Sequence, residues 1–399
     1  MGWHKQYDGY RAYQYIDKSE YKQFDLTEES GWCEPYLVPL NEEEEQRCLR
    51  LMEESVIISL HEHPCLFPKD MTLSNDYKHE GRQPMAYEPL SRSCLDAVFD
   101  NMMDGTCVIT SKAGWKWTDI IHDIGMRLCD LKHQSFVIRG ESVADILRAH
   151  HEGKLACVLC LEGPGPIENE LDRIDVLYGL GVRQMGIAYS QASLLGSGIK
   201  ERRDGGLTDL GRQAVKRMND VGMAIDCSHA GDLTTMETIQ ESKKPVLLTH
   251  VGARSLWDSN RLKGDDALRR LADKGGVIGV EAAPHTTITY GSRTHSIESI
   301  MEHFEYVKDT VGIDAVSFGP DTLYGDHVGL HHAFAGLLSI KSVQSKTEFP
   351  HVPYVKGMEN PTEASINIVR WLVKKNYSDQ DIQKVIGGNT IRALKEIWA

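Results

Sequence analysis

The chain has 399 residues, 41% of them hydrophobic, with 44 lysines and arginines against 58 aspartates and glutamates, a formal net charge of −14. That balance excludes a nucleic-acid partner, which needs a basic face, and the length is ample for one large core or barrel. The first residues, MGWHKQYDGYRAYQYIDK, contain no apolar leader, no run approaches the length of a membrane span, and the nine cysteines form no framework. A cytoplasmic protein with reduced thiols and no membrane partner is therefore expected.

In chain order, residues 1–55 read as an extension closed by the acidic run Glu42–Glu45 and a helical stretch through Met52. From residue 56 to 399, short apolar segments alternate with helix-length stretches. Eight strands are predicted: Val56–Leu60, Cys107–Thr110, Ala156–Leu161, Gln184–Ala188, Ala224–Ser228, Val246–Thr249, Gly276–Glu281 and Ala315–Gly319, with Phe136–Arg139 as a ninth candidate. They are nearly continuously apolar, as strands buried on both faces are. Between them, Thr208–Val221 spaces Leu210, Ala214, Val215, Met218 and Val221 at helical intervals, and Asp265–Lys274 and Ser296–Val311 read similarly. At the carboxy end Asn360–Lys375 is helical, and the SDQD at Ser378 opens a last helix through Trp398. Strands alternating with helices imply βαβ units. Eight such units fit a TIM-type (β/α)8 barrel followed by C-terminal helices better than an open sheet.

Six ligand-type side chains recur just past these apolar runs, where such a barrel carries its chemistry: His61, His63, Glu162, His229, His250 and Asp321. In His61-Glu62-His63 the histidines point to one side of a strand and the glutamate to the other, a pincer for a borderline-soft cation or a turn cap before Pro64. Glu162 ends the most hydrophobic strand, where a carboxylate is either paired or metal-bound, and between two cations it can bridge. His229 and His250, in IDCSH and LLTH, end successive strands. Asp321, in SFGPD, can accept a proton from a metal-bound water and is the expected general base. Cys157 and Cys160 fall on opposite faces of one strand and read as apolar filler, while the adjacent pairs His150-His151 and His331-His332 read as surface or loop residues. P-loop, dinucleotide-binding and serine-hydrolase signatures are lacking.

With these motifs in order, the chain resembles the membrane (renal) dipeptidase-like family, peptidase family M19, of the amidohydrolase superfamily. The resemblance runs across most of residues 56–399. It is carried by LEGPGPI at Glu162, GGLTDLGRQAVKRMNDVGMAIDCSHAG at His229, PVLLTHVGARSL at His250, SFGPD at Asp321, and GMENPTEASINIVRWL with YSDQDIQKVIGGNTIRALKEIW at the end. It implies a metal-dependent hydrolase barrel holding one or two Zn2+ ions, with Mn2+ or Fe2+ as alternatives. Glu162 would bridge, His229 and His250 would bind the second ion, and Asp321 the first.

The family attacks dipeptide amide bonds with a metal-activated hydroxide, and relatives suggest a homo-oligomer. Two positions depart from its pattern. His63 replaces an aspartate, making the site more positive by one charge, and Tyr189 stands where a substrate-binding histidine belongs, as a neutral hydrogen-bond donor. Arg261, in DSNRL, falls near the arginine that holds a substrate carboxylate, and reads equally as a surface residue. The expected function is hydrolysis of an amide C–N bond in a dipeptide or related small molecule. A non-hydrolytic reaction such as decarboxylation, or a non-catalytic binding barrel, are the alternatives.

Overall fold

The computed structural model describes residues 4–28, 33–102, 116–334 and 352–399. Its strands are β1 (Ile58–Leu66), β2 (Ala97–Asn101), β3 (Val137–Arg139), β4 (Leu155–Leu161), β5 (Val182–Gly186), β6 (Ala224–Asp226), β7 (Leu247–Val251), β8 (Val277–Val280), β9 (Val316–Phe318) and β10 (Leu323–Tyr324). They pair in the order β10-β1-β2-β4-β5-β6-β7-β8-β9, and every pair is parallel. Because β9 and β10 are successive pieces of one stretch of chain, the two edges of this sheet are joined. The Asp321 N–H donates to the His61 carbonyl at 3.0 Å and the His63 N–H to the Thr322 carbonyl at 2.8 Å, closing the ring. With β9 and β10 counted as one member, the described residues form an eight-membered ring.

Two strand expectations stand differently from the rest. The predicted Cys107–Thr110 strand lies outside the described residues, and the barrel's second member is β2, whose AVFDN run carries a charge and an amide that hid it. Phe136–Arg139 does contain a strand, β3, but it pairs with β4 beside the ring.

Alternation along β4 sorts the core. Cys157, Leu159 and Leu161 join a large apolar cluster with surrounding helices, whereas Ala156, Val158 and Cys160 join a smaller one with Ala393, Leu394 and Ile397. The cysteines among the described residues are unpaired thiols, and burial holds those of Cys157 and Cys160 protonated.

Helix ends follow the sequence signals closely. Thr208, Ser378 and Asn360 each cap a helix by accepting a backbone N–H, and the Asn360 helix begins with proline at its first turn. The last helix is not continuous, however. A π-helical turn, Lys384–Gly388, separates Asp379–Gln383 from Asn389–Ile397. Gly387 sits so near β1 that a Cβ there would lie 2.1 Å from the Val56 carbonyl oxygen, and the bulged turn accommodates that approach.

The segment before β1 packs on the barrel. Asp130 accepts hydrogen bonds from the Tyr10 hydroxyl (2.6 Å), the Tyr13 N–H (2.7 Å) and the Tyr87 hydroxyl (2.7 Å). Helix Glu42–Glu54, opened by an Asn41–Glu44 capping box, is tied to the C-terminal region through Arg47 and Arg50 on Asp379 and through Arg370 on Glu45. Among the described residues no helix is long and apolar enough to cross a membrane.

Candidate metal centre

The six side chains singled out by sequence converge at one end of the barrel, all of them less than 9% exposed. Their positions relative to the strands are more varied than expected. His61 and His63 lie inside β1, which runs on to Leu66, and His250 lies inside β7. Glu162 follows β4 directly, while His229 and Asp321 sit three residues beyond β6 and β9. Asp321 has φ of 58°, left-handed backbone that aspartate tolerates better than most residues but that still costs energy.

The donor atoms fall into two groups that share Glu162: His61, His63, Glu162 and Asp321 in one, and Glu162, His229 and His250 in the other. In the first, Nε2 of His61 lies 3.4 Å from both Glu162 Oε1 and Asp321 Oδ1, and Nε2 of His63 lies 3.3 Å from Asp321 Oδ1. In the second, Glu162 Oε1 lies 3.2 Å from His229 Nε2 and 3.4 Å from His250 Nε2, and the two imidazole nitrogens face each other at 3.0 Å. A tetrahedral zinc site with bonds of about 2.0–2.2 Å places its donors about 3.3 Å apart, so these separations suit a shared cation.

Hydrogen bonding fixes which nitrogens face inward. Thr249 Oγ1 donates its single proton to Asp226 Oδ2 at 2.9 Å, so its 2.8 Å contact with His250 Nδ1 has the imidazole as donor. His250 Nε2 therefore carries a lone pair into the site. The Nδ1 of His63 lies 2.9 Å from the carbonyl oxygen of Asn101, an acceptor only, so in the neutral imidazole Nε2 carries the lone pair. Asp226 is also held by the Ser228 N–H and hydroxyl and the Thr249 N–H, so its carboxylate is committed to this scaffold. Both ring nitrogens of His61, Nδ1 of His229 and Oε2 of Glu162 are buried without a protein hydrogen-bond partner. Facing lone pairs and orphaned donors around carboxylates are what a metal-binding cage presents, so the residues fit a divalent cation.

Charge follows the same logic. Burial would raise Glu162, but His229, His250 and His61 overcome it and hold the carboxyl well below its ordinary range. Burial likewise works against the ionised Asp321, and His61 and His63 hold it well below its usual value. Burial opposes charge on His61, yet Asp321 and Glu162 lift it to about 10. A divalent cation supplies that positive charge instead and releases the proton. Burial, with the nearby Arg261 charge, lowers His229 to about 4 and keeps it neutral, the form that ligates.

Residues 45–399 match the membrane dipeptidase family, peptidase family M19. The chain belongs to that family. It is 25% identical over 254 residues to Dipeptidase 3 of Rattus norvegicus, covering 61% of this chain and 45% of the relative. The chain thus spans about half the length of that relative. A crystal structure of an amidohydrolase from Pseudomonas aeruginosa superposes with a TM-score of 0.73 at 26% identity, covering 88% of this chain and 99% of that one. A metallo peptidase from Rhodobacter sphaeroides, liganded with a phosphinate mimic of the dipeptide L-Ala-D-Ala, shares the fold with a TM-score of 0.64 at 16% identity, covering 86% and 100%.

Around these donors lie the residues expected to meet a substrate. Tyr189 is buried with its ring stacked on His229, centroids 4.0 Å apart, and lines a cavity of about 210 Å³ with Pro164, Gly165, Glu168 and Ser193. Arg261 is not a surface arginine. It is 3% exposed and forms an ion pair with Glu281, which is fully buried at the end of β8.

Sequence reasoning missed Glu281. It was the terminal carboxylate of a predicted strand, the same signal that identified Glu162. Burial pushes it up to about 7 against the pull of Arg261, with the Asp321 charge adding to the rise. His331, read as a surface or loop residue, is instead buried, and its partner His332 is exposed.

Proposed function

We propose that this chain is a metal-dependent hydrolase that cleaves the amide C–N bond of a dipeptide or a closely related small molecule. The observation that carries the reading is the pair of donor groups joined through Glu162, with the inward nitrogens of His63 and His250 set to ligate by the partners of their outer nitrogens. His61, His63, Glu162 and Asp321 would hold one cation and Glu162, His229 and His250 a second, with zinc the ion best matched to this nitrogen and carboxylate set and Mn2+ or Fe2+ as alternatives. Such a centre, when loaded, polarises a substrate carbonyl and lowers the pKa of water towards neutrality.

The chain's own groups do the rest. Asp321 stays ionised and accepts the proton of the attacking water, then passes it to the leaving nitrogen. Its backbone bond to His61 and its strained φ fix the carboxylate beside the first group of donors. Tyr189, its ring stacked on His229, would donate its phenol hydrogen to the oxyanion that develops on the carbonyl oxygen. The neighbouring cavity takes one substrate side chain, and Arg261 receives the end of the substrate remote from the scissile bond. A dipeptide is supported as substrate by the family and by the dipeptide mimic bound to the Rhodobacter sphaeroides relative.

Elemental analysis of the purified protein and an assay against a panel of L,L- and L,D-dipeptides test the proposal. Stoichiometric transition metal, hydrolysis of at least one panel member, and loss of both in Glu162→Gln are expected. Full activity in a metal-stripped protein refutes it.

A further inference from the structure

The buried pairing of Arg261 with Glu281 bears on what the substrate carries at its far end. The pair lies in the wall of the metal centre. Next to Glu281, the Ala282 N–H donates to the carbonyl of Pro320 at 2.8 Å, one residue before Asp321, and Val251, which accepts from the Glu281 N–H, follows His250 directly. Glu281 is anchored by its N–H to the Val251 carbonyl at 3.1 Å, so its side chain leaves a fixed point of the barrel rim. Both side chains are shut off from bulk water, at 3% and 0% exposure. Nη1 of Arg261 and Oε1 of Glu281 make no protein hydrogen bond of good geometry, the Thr286 hydroxyl lying beside the carboxylate.

An arginine alone in such a wall would attract a carboxylate through a bidentate bond. Here its charge is already matched. A free carboxylate brought to Arg261 would set a second anion against Glu281 where water cannot screen the two. A primary or secondary amide meets no such conflict. Its carbonyl oxygen accepts from the guanidinium, and its N–H donates to the Glu281 carboxylate.

We propose that Glu281 is a specificity-determining residue, and that the pair selects substrates ending in a neutral amide, such as a dipeptide amide or a longer peptide, over dipeptides with a free carboxylate. The inference rests on the hydrolase reading above.

The test compares kcat/KM of the zinc-loaded, full-length protein for alanyl-alanine and alanyl-alanine amide, with the cleaved bond identified by mass. The amide is expected to be preferred by about tenfold or more, the scale of one pK unit of like-charge interaction. Glu281→Gln, which keeps the shape and removes the charge, shifts that ratio towards the free acid by a similar factor. A wild-type preference for the acid overturns the proposal, as does a ratio that Glu281→Gln leaves unchanged. If the variant does not fold, the wild-type ratio decides alone. If neither compound is cleaved, the dipeptide panel decides the hydrolase reading, and calorimetric titration with N-acetylalanine and N-acetylalanine amide decides the selection separately. Tighter binding of the amide sustains it, and tighter binding of the acid, or binding of neither, overturns it.

Discussion

Thr249→Val removes one hydroxyl from a fully buried residue and leaves every metal donor in place. That oxygen accepts from His250 Nδ1 at 2.8 Å, donates to Asp226 Oδ2 at 2.9 Å, and lies 3.3 Å from the Ser228 hydroxyl. Asp226 keeps donors from Ser228 and from the Thr249 backbone, so its loss is small. The buried imidazole N–H has no replacement, and leaving such a donor unpaired costs about 1–3 kcal/mol. The tautomer with Nε2 free to ligate then loses its advantage. Removal of a histidine's outer partner weakens metal binding by about 10–100-fold, or about 1.4–2.7 kcal/mol. Chelator-competition titration should show that loss for the cation held by His229 and His250, with the other bound nearly as before. Thr249→Ser retains the hydroxyl and should bind both as wild type does. If Thr249→Val holds both cations at wild-type affinity, or Thr249→Ser is equally impaired, the orientation argument is wrong.

Gly319→Ala should damage the same centre from behind. An added Cβ would lie 2.0 Å from the Thr249 carbonyl oxygen and 3.1 Å from the His61 nitrogen, so the barrel must shift, with a loss of at least about 1–3 kcal/mol in unfolding free energy and weaker metal binding. Asp130→Ala leaves the hydroxyls of Tyr10 and Tyr87 and the Tyr13 N–H without their shared acceptor. A loss of about 3 kcal/mol or more is expected by denaturant unfolding, with the metal-donor geometry unchanged. Asp379 is held below its usual carboxylate pKa by Arg50 and then Arg47, so its contribution is present above the unfolded value of about 3.9 and is lost as pH falls through the folded one. The difference in melting temperature between wild type and Asp379→Asn should therefore be largest near neutrality and vanish in acid.

The donor set was legible because its signal is local. A histidine or carboxylate closing a run of Val, Ile and Leu is costly unless something pairs with it, and that cost shows in a single strand. The same rule fits Glu281, whose meaning depended on Arg261, twenty residues away in the chain and adjacent in space. Strand β2 was missed because Asp100 and Asn101 break its apolar run. The burial of Asp100 is tolerated through a partner far along the chain, Arg127, 3.1 Å from its carboxylate.

By itself, the sequence determined the alternation of strands and helices, the caps that start the helices, and the six side chains that can hold metal. Those features follow from periodicity, from backbone groups satisfied within a few residues, and from the cost of isolated charge. Only the tertiary structure decided that β9 and β10 together close the ring against β1, that the donors form two groups sharing Glu162, and that Thr249 and Asn101 choose the tautomers of His250 and His63. It also decided that Arg261 is matched by Glu281. Each of these rests on a contact between distant parts of the chain, in the case of Thr249 its bond to Asp226, whose energy exists only once the barrel has brought them together.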